Sequence, residues 1–147
     1  MISQLFDGAN LFVLPFWTLM IFLPKWDVTR KVILSPLPFL TLAGLYIYLL
    51  VFAITPESAQ AIANPKLADI ARFFADEGAA AVGWVHFLVM DLFVGRWIYL
   101  EGQRTGIFTV HSLVFCLFFG PIGLASHLLT NVISEQITKS KSTTQAE

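Results

Sequence analysis

The stretch AVGWVHFLVMDLFVGRWIYLEGQR, Ala81–Arg104, decides the fold class of this chain. As a helix it is long enough to cross the roughly 30 Å hydrocarbon layer of a bilayer, which takes about 20 mostly apolar residues. It nevertheless carries His86, Asp91 and Arg96, and ionisable groups inside a span are costly and mark function by default. At about 100° per residue these three fall at about 0°, 140° and 280° around a helix, so they share no face. A helix polar in three directions suits a place packed by neighbours on several sides.

The whole chain agrees with that reading. It has 147 residues, 56% hydrophobic and 13% charged, with a mean hydropathy of +0.73. Soluble domains are about 45–50% apolar and about 25% charged. A domain of about 150 residues buries only about 70% of its surface, so its own core has no room for so many apolar side chains. A soluble enzyme and a disordered chain are thereby excluded. Nine Lys/Arg against ten Asp/Glu give a net charge of -1, without the basic excess that a nucleic-acid partner would require. The single Cys116 lies in an apolar run and supports neither a disulfide framework nor a thiolate metal cluster.

The expected fold class is all-α: a polytopic integral membrane four-helix bundle forming a single membrane domain. Spans are expected at about 5–23, 32–54, 79–100 and 107–134, followed by a frayed polar tail at 135–147. Strands are not expected, because the apolar runs are too long and do not alternate. No basic region precedes the first apolar run, so it reads as a retained helix rather than a signal peptide. Between spans two and three, Asn64-Pro65 reads as a cap and first helical residue. Leu67, Ile70, Ala71 and Phe74 follow at helical spacing, which predicts a short amphipathic interfacial helix at about 65–77, with a mobile soluble loop as the alternative. Lys25, Arg30 and Lys31 crowd the short first loop, and the charge bias then places both termini outside.

Asp91 is the buried charge of the chain and must be protonated, paired or lining a wet pocket. A catalytic or ligand role and a structural bond to a neighbouring helix both fit it. His86 reads equally as an interhelical hydrogen-bond donor. Arg96 reads as snorkelling toward lipid headgroups. If the loop after Arg104 is tight, Arg96 lies level with His111, Asp91 with Cys116 and His86 with Pro121. His127 then falls near Asp76 and Glu77. That register leaves no two histidines at matching depth for a haem, and no Glu-x-x-His pair offers a carboxylate metal centre, so neither cofactor nor metal is expected. FFGPIG, Phe118–Gly123, predicts a proline kink within the fourth span, with glycines allowing close approach.

These motifs carry a resemblance. NLFVLPFWTLMIFLP at Asn10–Pro24, then Trp26-x-x-Thr29-Arg30, GWVHFLVMDLFVGRWI at Gly83–Ile98 and FFGPIGLASHLL at Phe118–Leu129 resemble the neoxanthin synthase family, the abscisic acid deficient four-like membrane proteins. The likeness covers nearly the whole chain apart from its tail. The chain starts at its first helix, with no stretch like a transit peptide, as a cyanobacterial or other bacterial member would. The resemblance implies carotenoid (xanthophyll) chemistry: isomerising the epoxide end group of violaxanthin to an allenic alcohol, with no redox cofactor. Asp91 would protonate the epoxide oxygen, and His86 or Glu77 (with Asp76 beside it) would take the carbon-bound proton. Trp84, Phe87, Arg96, Trp97, His111 and Pro121 would line the substrate site. The resemblance further implies a thylakoid or plasma membrane location and contact with membrane lipid. A homo-oligomer or a membrane protein complex is the expected assembly. Two non-catalytic roles fit the same residues, carotenoid binding for photoprotection and an accessory subunit of a pigment–protein complex.

Overall fold

The computed structural model describes residues 1–53 and 55–144, and these form eight helices and no strand. They are α1 (Ile2–Phe22), α2 (Asp27–Leu34), α3 (Leu37–Ala53), α4 (Pro56–Ala63), α5 (Leu67–Phe73), α6 (Glu77–Thr105), α7 (Val110–Phe118) and α8 (Gly120–Thr144). Three stretches are long and apolar enough to cross a membrane: Ile2–Phe22, Asp27–Ala53 and Glu77–Thr105. Within its most apolar window α6 is 39% buried, against 22% and 17% for the other two, as expected of a helix packed on several sides. Large apolar side chains point outward along these helices, Leu11 at 68% and Phe52 at 72% exposure among them. That much outward apolar surface marks contact with lipid or protein rather than water.

Contacts divide the chain into two units, Met1–Pro15 with Leu34–Met90, and Phe16–Ile33 with Asp91–Glu147. In the first, α6 packs on α1 and α3. Phe6 and Trp84 have ring centroids 5.8 Å apart, and Trp84 Nε1 donates to Asn10 Oδ1 at 2.8 Å. Tyr46 of α3 lies 5.8 Å from the His86 ring. The core here is small, with Ala9, Val13, Leu42, Leu49 and Val85 buried. Asp76 caps α6, its Oδ1 accepting from the Ala79 N–H at 3.0 Å.

In the second unit the helix breaks find partners for their carbonyls, as an apolar surrounding requires. Pro24 ends α1, and Tyr99 Oη of α6 donates to the Pro24 carbonyl at 2.9 Å. The Leu23 carbonyl accepts from Thr29 Oγ1 at 2.7 Å. Arg96 Nε donates to the Ile33 carbonyl at 2.8 Å, a cation at the C-terminal end of α2. Trp17 fits against Gly95, where a Cβ would lie 2.5 Å from its ring.

Several expectations are corrected. The second span is not one smooth helix from 32. Helix begins at Asp27, breaks at Ser35-Pro36, and restarts with Ser35 Oγ accepting from the Leu37 N–H. Residue 54, its expected end, lies outside the described residues. The connection after it holds two short helices, α4 and α5. α5 starts after Lys66 rather than at Pro65, without a side-chain cap, and Leu67 on its expected apolar side is 86% exposed. The tail at 135–147 is helical as far as Thr144, and residues 145–147 lie outside the description.

The largest correction concerns 107–134. Helix stops at Phe118 and restarts at Gly120, and the chain reverses there instead of kinking. Ser112 Oγ lies 3.0 Å from Ser126 Oγ, and His111 Nε2 lies 3.0 Å from Thr130 Oγ1. In a continuous helix Ser112 and Ser126 would be about 21 Å apart. α7 and α8 are therefore an antiparallel hairpin. With nine residues, α7 is about 14 Å long, roughly half of a bilayer's hydrocarbon thickness. Pro121 falls in the first turn of α8, where its missing N–H costs nothing. Gly123 lets the hairpin close, because a Cβ there would run into the Cys116 backbone.

Gly123→Ala is therefore expected to destabilise the protein by about 1–3 kcal/mol through overpacking. Gly44→Ala, which meets nothing within 4 Å, should not destabilise it. Thermal melts of the detergent-solubilised variants check this, and equal melting temperatures would contradict the hairpin contact.

Candidate functional site

The sequence-nominated residues divide between the two units. Glu77, Trp84, His86 and Phe87 belong to the first, and Asp91, Arg96, Trp97, His111 and Pro121 to the second.

In the first unit, Glu77 opens α6 and is exposed beside the capping residue Asp76. Asp76 thus has a structural task. Trp84 is tied to α1 through Asn10, whose Nδ2 donates to the Phe6 carbonyl at 2.8 Å. His86 is exposed, with the Tyr46 ring at 5.8 Å and the Phe87 ring at 6.2 Å. Phe87 itself is 58% exposed.

In the second unit Asp91 lies half-buried on α6, facing the hairpin tip. A Cβ on Gly120 would collide with its carboxyl group, so a larger residue there would push the carboxyl aside. The carboxyl thereby rests at the first turn of α8, an end where helix amides favour negative charge. The buried Cys116 thiol donates to the Asp91 backbone carbonyl at 3.4 Å, which bears out the expected level of Asp91 with Cys116. Pro121, exposed, follows directly after Gly120. The site thus holds one carboxyl group closely packed beside a helix start.

His127 corrects the depth argument. The hairpin carries it back along α6 to Trp97, with ring centroids 5.1 Å apart and planes at 90°, rather than toward Glu77. It is fully buried, and its Nε2 lies 3.2 Å from Asn131 Nδ2. His111 stacks on Phe108 and meets Thr130, whose hydroxyl donates to the Ser126 carbonyl at 2.8 Å. Arg96 has a backbone partner at Ile33, beyond the snorkelling expected of it. The hairpin thus closes on a polar seam of His111, Ser112, Ser126 and Thr130, with His127 and Asn131 beside it on α8. Sequence reading misses Ser112, Ser126, Thr130 and Asn131. The pairs Ser126/Thr130 and His127/Asn131, each four residues apart in an apolar run, are the available signal. Among the described residues no group of three His, Cys, Asp or Glu side chains could hold a metal ion.

Among the described residues these features define a helical protein with three membrane-length apolar stretches, one of them bearing a carboxyl group, and a polar-seamed helical hairpin. The model of the ABA DEFICIENT 4-like family matches residues 4–127, and the chain belongs to that family. It is 40% identical over 136 residues to the protein ABA DEFICIENT 4, chloroplastic, of Arabidopsis thaliana, covering 89% of this chain. The chain spans 62% of that relative's length. The resemblance read from the motifs thus holds at the level of the family. No solved structure matches.

Tyr99→Phe is expected to cost about 1–3 kcal/mol, because it leaves the Pro24 carbonyl without its donor. An unchanged melting temperature would show that this bond contributes nothing.

Proposed function

We propose that the protein is a multi-pass membrane protein that isomerises the epoxide end group of a carotenoid such as violaxanthin to an allenic alcohol. The reaction leaves the composition unchanged. The epoxide C–O bond opens, a C–H bond on the polyene breaks, and the oxygen gains a proton. It calls for an acid and a base in a site from which water is excluded. Membership of the ABA DEFICIENT 4-like family supports the carotenoid. The observation that carries the chemistry is the carboxyl of Asp91 on the most buried apolar helix, packed beside Gly120 at the hairpin tip. In this reading Asp91 delivers the proton to the epoxide oxygen. His86 and Glu77 are the sequence's nominees for the carbon-bound proton.

The same reading gives the topology. α1, the α2–α3 stretch and α6 cross the bilayer, and the α7–α8 hairpin enters and leaves from one side. Irregular backbone at membrane depth is tolerated where protein covers it, and Gly120 at the hairpin tip is buried. Three crossings put the termini on opposite sides, in place of both outside. Labelling of the two ends from one side of the membrane tests this.

A second reading, pigment binding without turnover, is favoured by the outward aromatic surface of Trp84, Phe87 and Trp97. Co-expression with a violaxanthin source decides between the two. Catalysis predicts neoxanthin in the pigment extract, lowered about 10²-fold or more by Asp91→Asn, with the variant still in the membrane. Co-purified pigment with no product would establish the binding reading instead. Normal conversion by Asp91→Asn would remove Asp91 from the chemistry.

A further inference from the structure

Two exposed arginines have an acidic residue three positions before them and pair with it. Arg72 meets Asp69 at 2.9 Å, and Arg104 Nε donates to Glu101 at 3.0 Å. Asp27 stands three positions before Arg30 and four before Lys31, spacings that allow the same pairing. Among the described residues neither pair forms, and Lys25 has no ion-pair partner either.

These three cations gather at one corner. Lys25 lies in the turn between α1 and α2, and Arg30 and Lys31 are on α2. α2 turns Thr29 and Ile33 inward, so at about 100° per residue Lys31 falls on the opposite side and Arg30 at the flank. All three are exposed. Three cations against the single carboxylate of Asp27 leave the corner a net charge of +2. The end of α6, brought to the Pro24 carbonyl by Tyr99, does not neutralise it, because Glu101 is engaged by Arg104. α1, with 21 residues, is about 31 Å long, one hydrocarbon thickness, so the turn after it falls at headgroup level. Trp26 in that turn is half exposed, as an interfacial aromatic is.

We propose that the α1–α2 corner binds the headgroup of an anionic membrane lipid through Lys25, Arg30 and Lys31. Charge complementarity selects the headgroup. The exposed Phe22, Leu23 and Val28 beside the cations offer apolar contact to an acyl chain, which a free anion cannot use. The depth of the corner rests on the three-crossing reading above.

The test compares phosphatidylglycerol with phosphatidylcholine, each carrying the same fluorescent acyl chain. Immobilised protein in detergent is equilibrated with either lipid, and retained fluorescence is measured after washing. The wild type should retain phosphatidylglycerol about tenfold more tightly. In the triple variant Lys25→Gln, Arg30→Gln, Lys31→Gln the preference should fall to about twofold or less, with phosphatidylcholine retention unchanged. The double variant Arg30→Gln, Lys31→Gln replaces it if the triple one fails to fold. Lys66→Gln, which removes an exposed cation elsewhere, should keep the full preference. Equal retention of both lipids by the wild type overturns the site, as does a preference that survives the substitutions or that Lys66→Gln also removes. Displacement of phosphatidylglycerol by millimolar inorganic phosphate, with ionic strength held constant by chloride, overturns the lipid in favour of a free anion. Each of these failures leaves the three-crossing topology standing, since labelling of the chain ends reads that separately.

Discussion

The close fit of Asp91 against Gly120 is the constraint on which the second half of the chain depends. A carboxyl group in the middle of an apolar helix needs a partner that is close, shaped to it and electropositive. The start of α8 is such a partner, and the absence of a side chain at Gly120 lets the carboxyl approach it closely. For a helix to start at that depth, the chain must stop one helix and reverse. Phe119 ends α7, Pro121 suits the first turn of α8, and Gly123 admits the Cys116 backbone. The reversal then brings Ser112 to Ser126 and His111 to Thr130, so the hairpin is held by polar pairs along its seam.

The same economy governs the other breaks. Each interruption of a helix frees backbone carbonyls that an apolar surround does not solvate, and side chains from elsewhere answer them. Thr29 and Tyr99 serve the end of α1, and Arg96 the end of α2. Polar residues in the apolar helices therefore divide into two kinds. Some complete the backbone, as Arg96 and Tyr99 do. Others, as Asp91 and His127, pack against a neighbouring helix, Asp91 at Gly120 and His127 at Trp97.

How much is legible in the sequence follows from that division. Hydrophobic length alone locates α1 and α6, and the spacing from Asp91 to Cys116 across a tight loop is correct. FFGPIG is recognisable as an interruption, yet a proline in a first turn and a proline kink look alike in one dimension. What separates them is the approach of Gly123 to Cys116, a contact that no local pattern encodes. The error carries through to His127, which an unbroken helix would place near Glu77 and which the hairpin places beside Trp97. Arg96 escapes sequence reading for a similar reason: its partner, the Ile33 carbonyl, is free only because α2 ends there. Asn64-Pro65 looks like a helix start, but helix begins after Lys66.

In the proposed topology the chain crosses the membrane three times and α7–α8 turns back within it. Single cysteines replacing Ser3 and Ser140, each in a Cys116→Ala background, test it with an impermeant maleimide on sealed vesicles of known sidedness. Three crossings predict that one position labels directly and the other only after permeabilisation. Labelling of both from the same side would contradict it and restore four crossings.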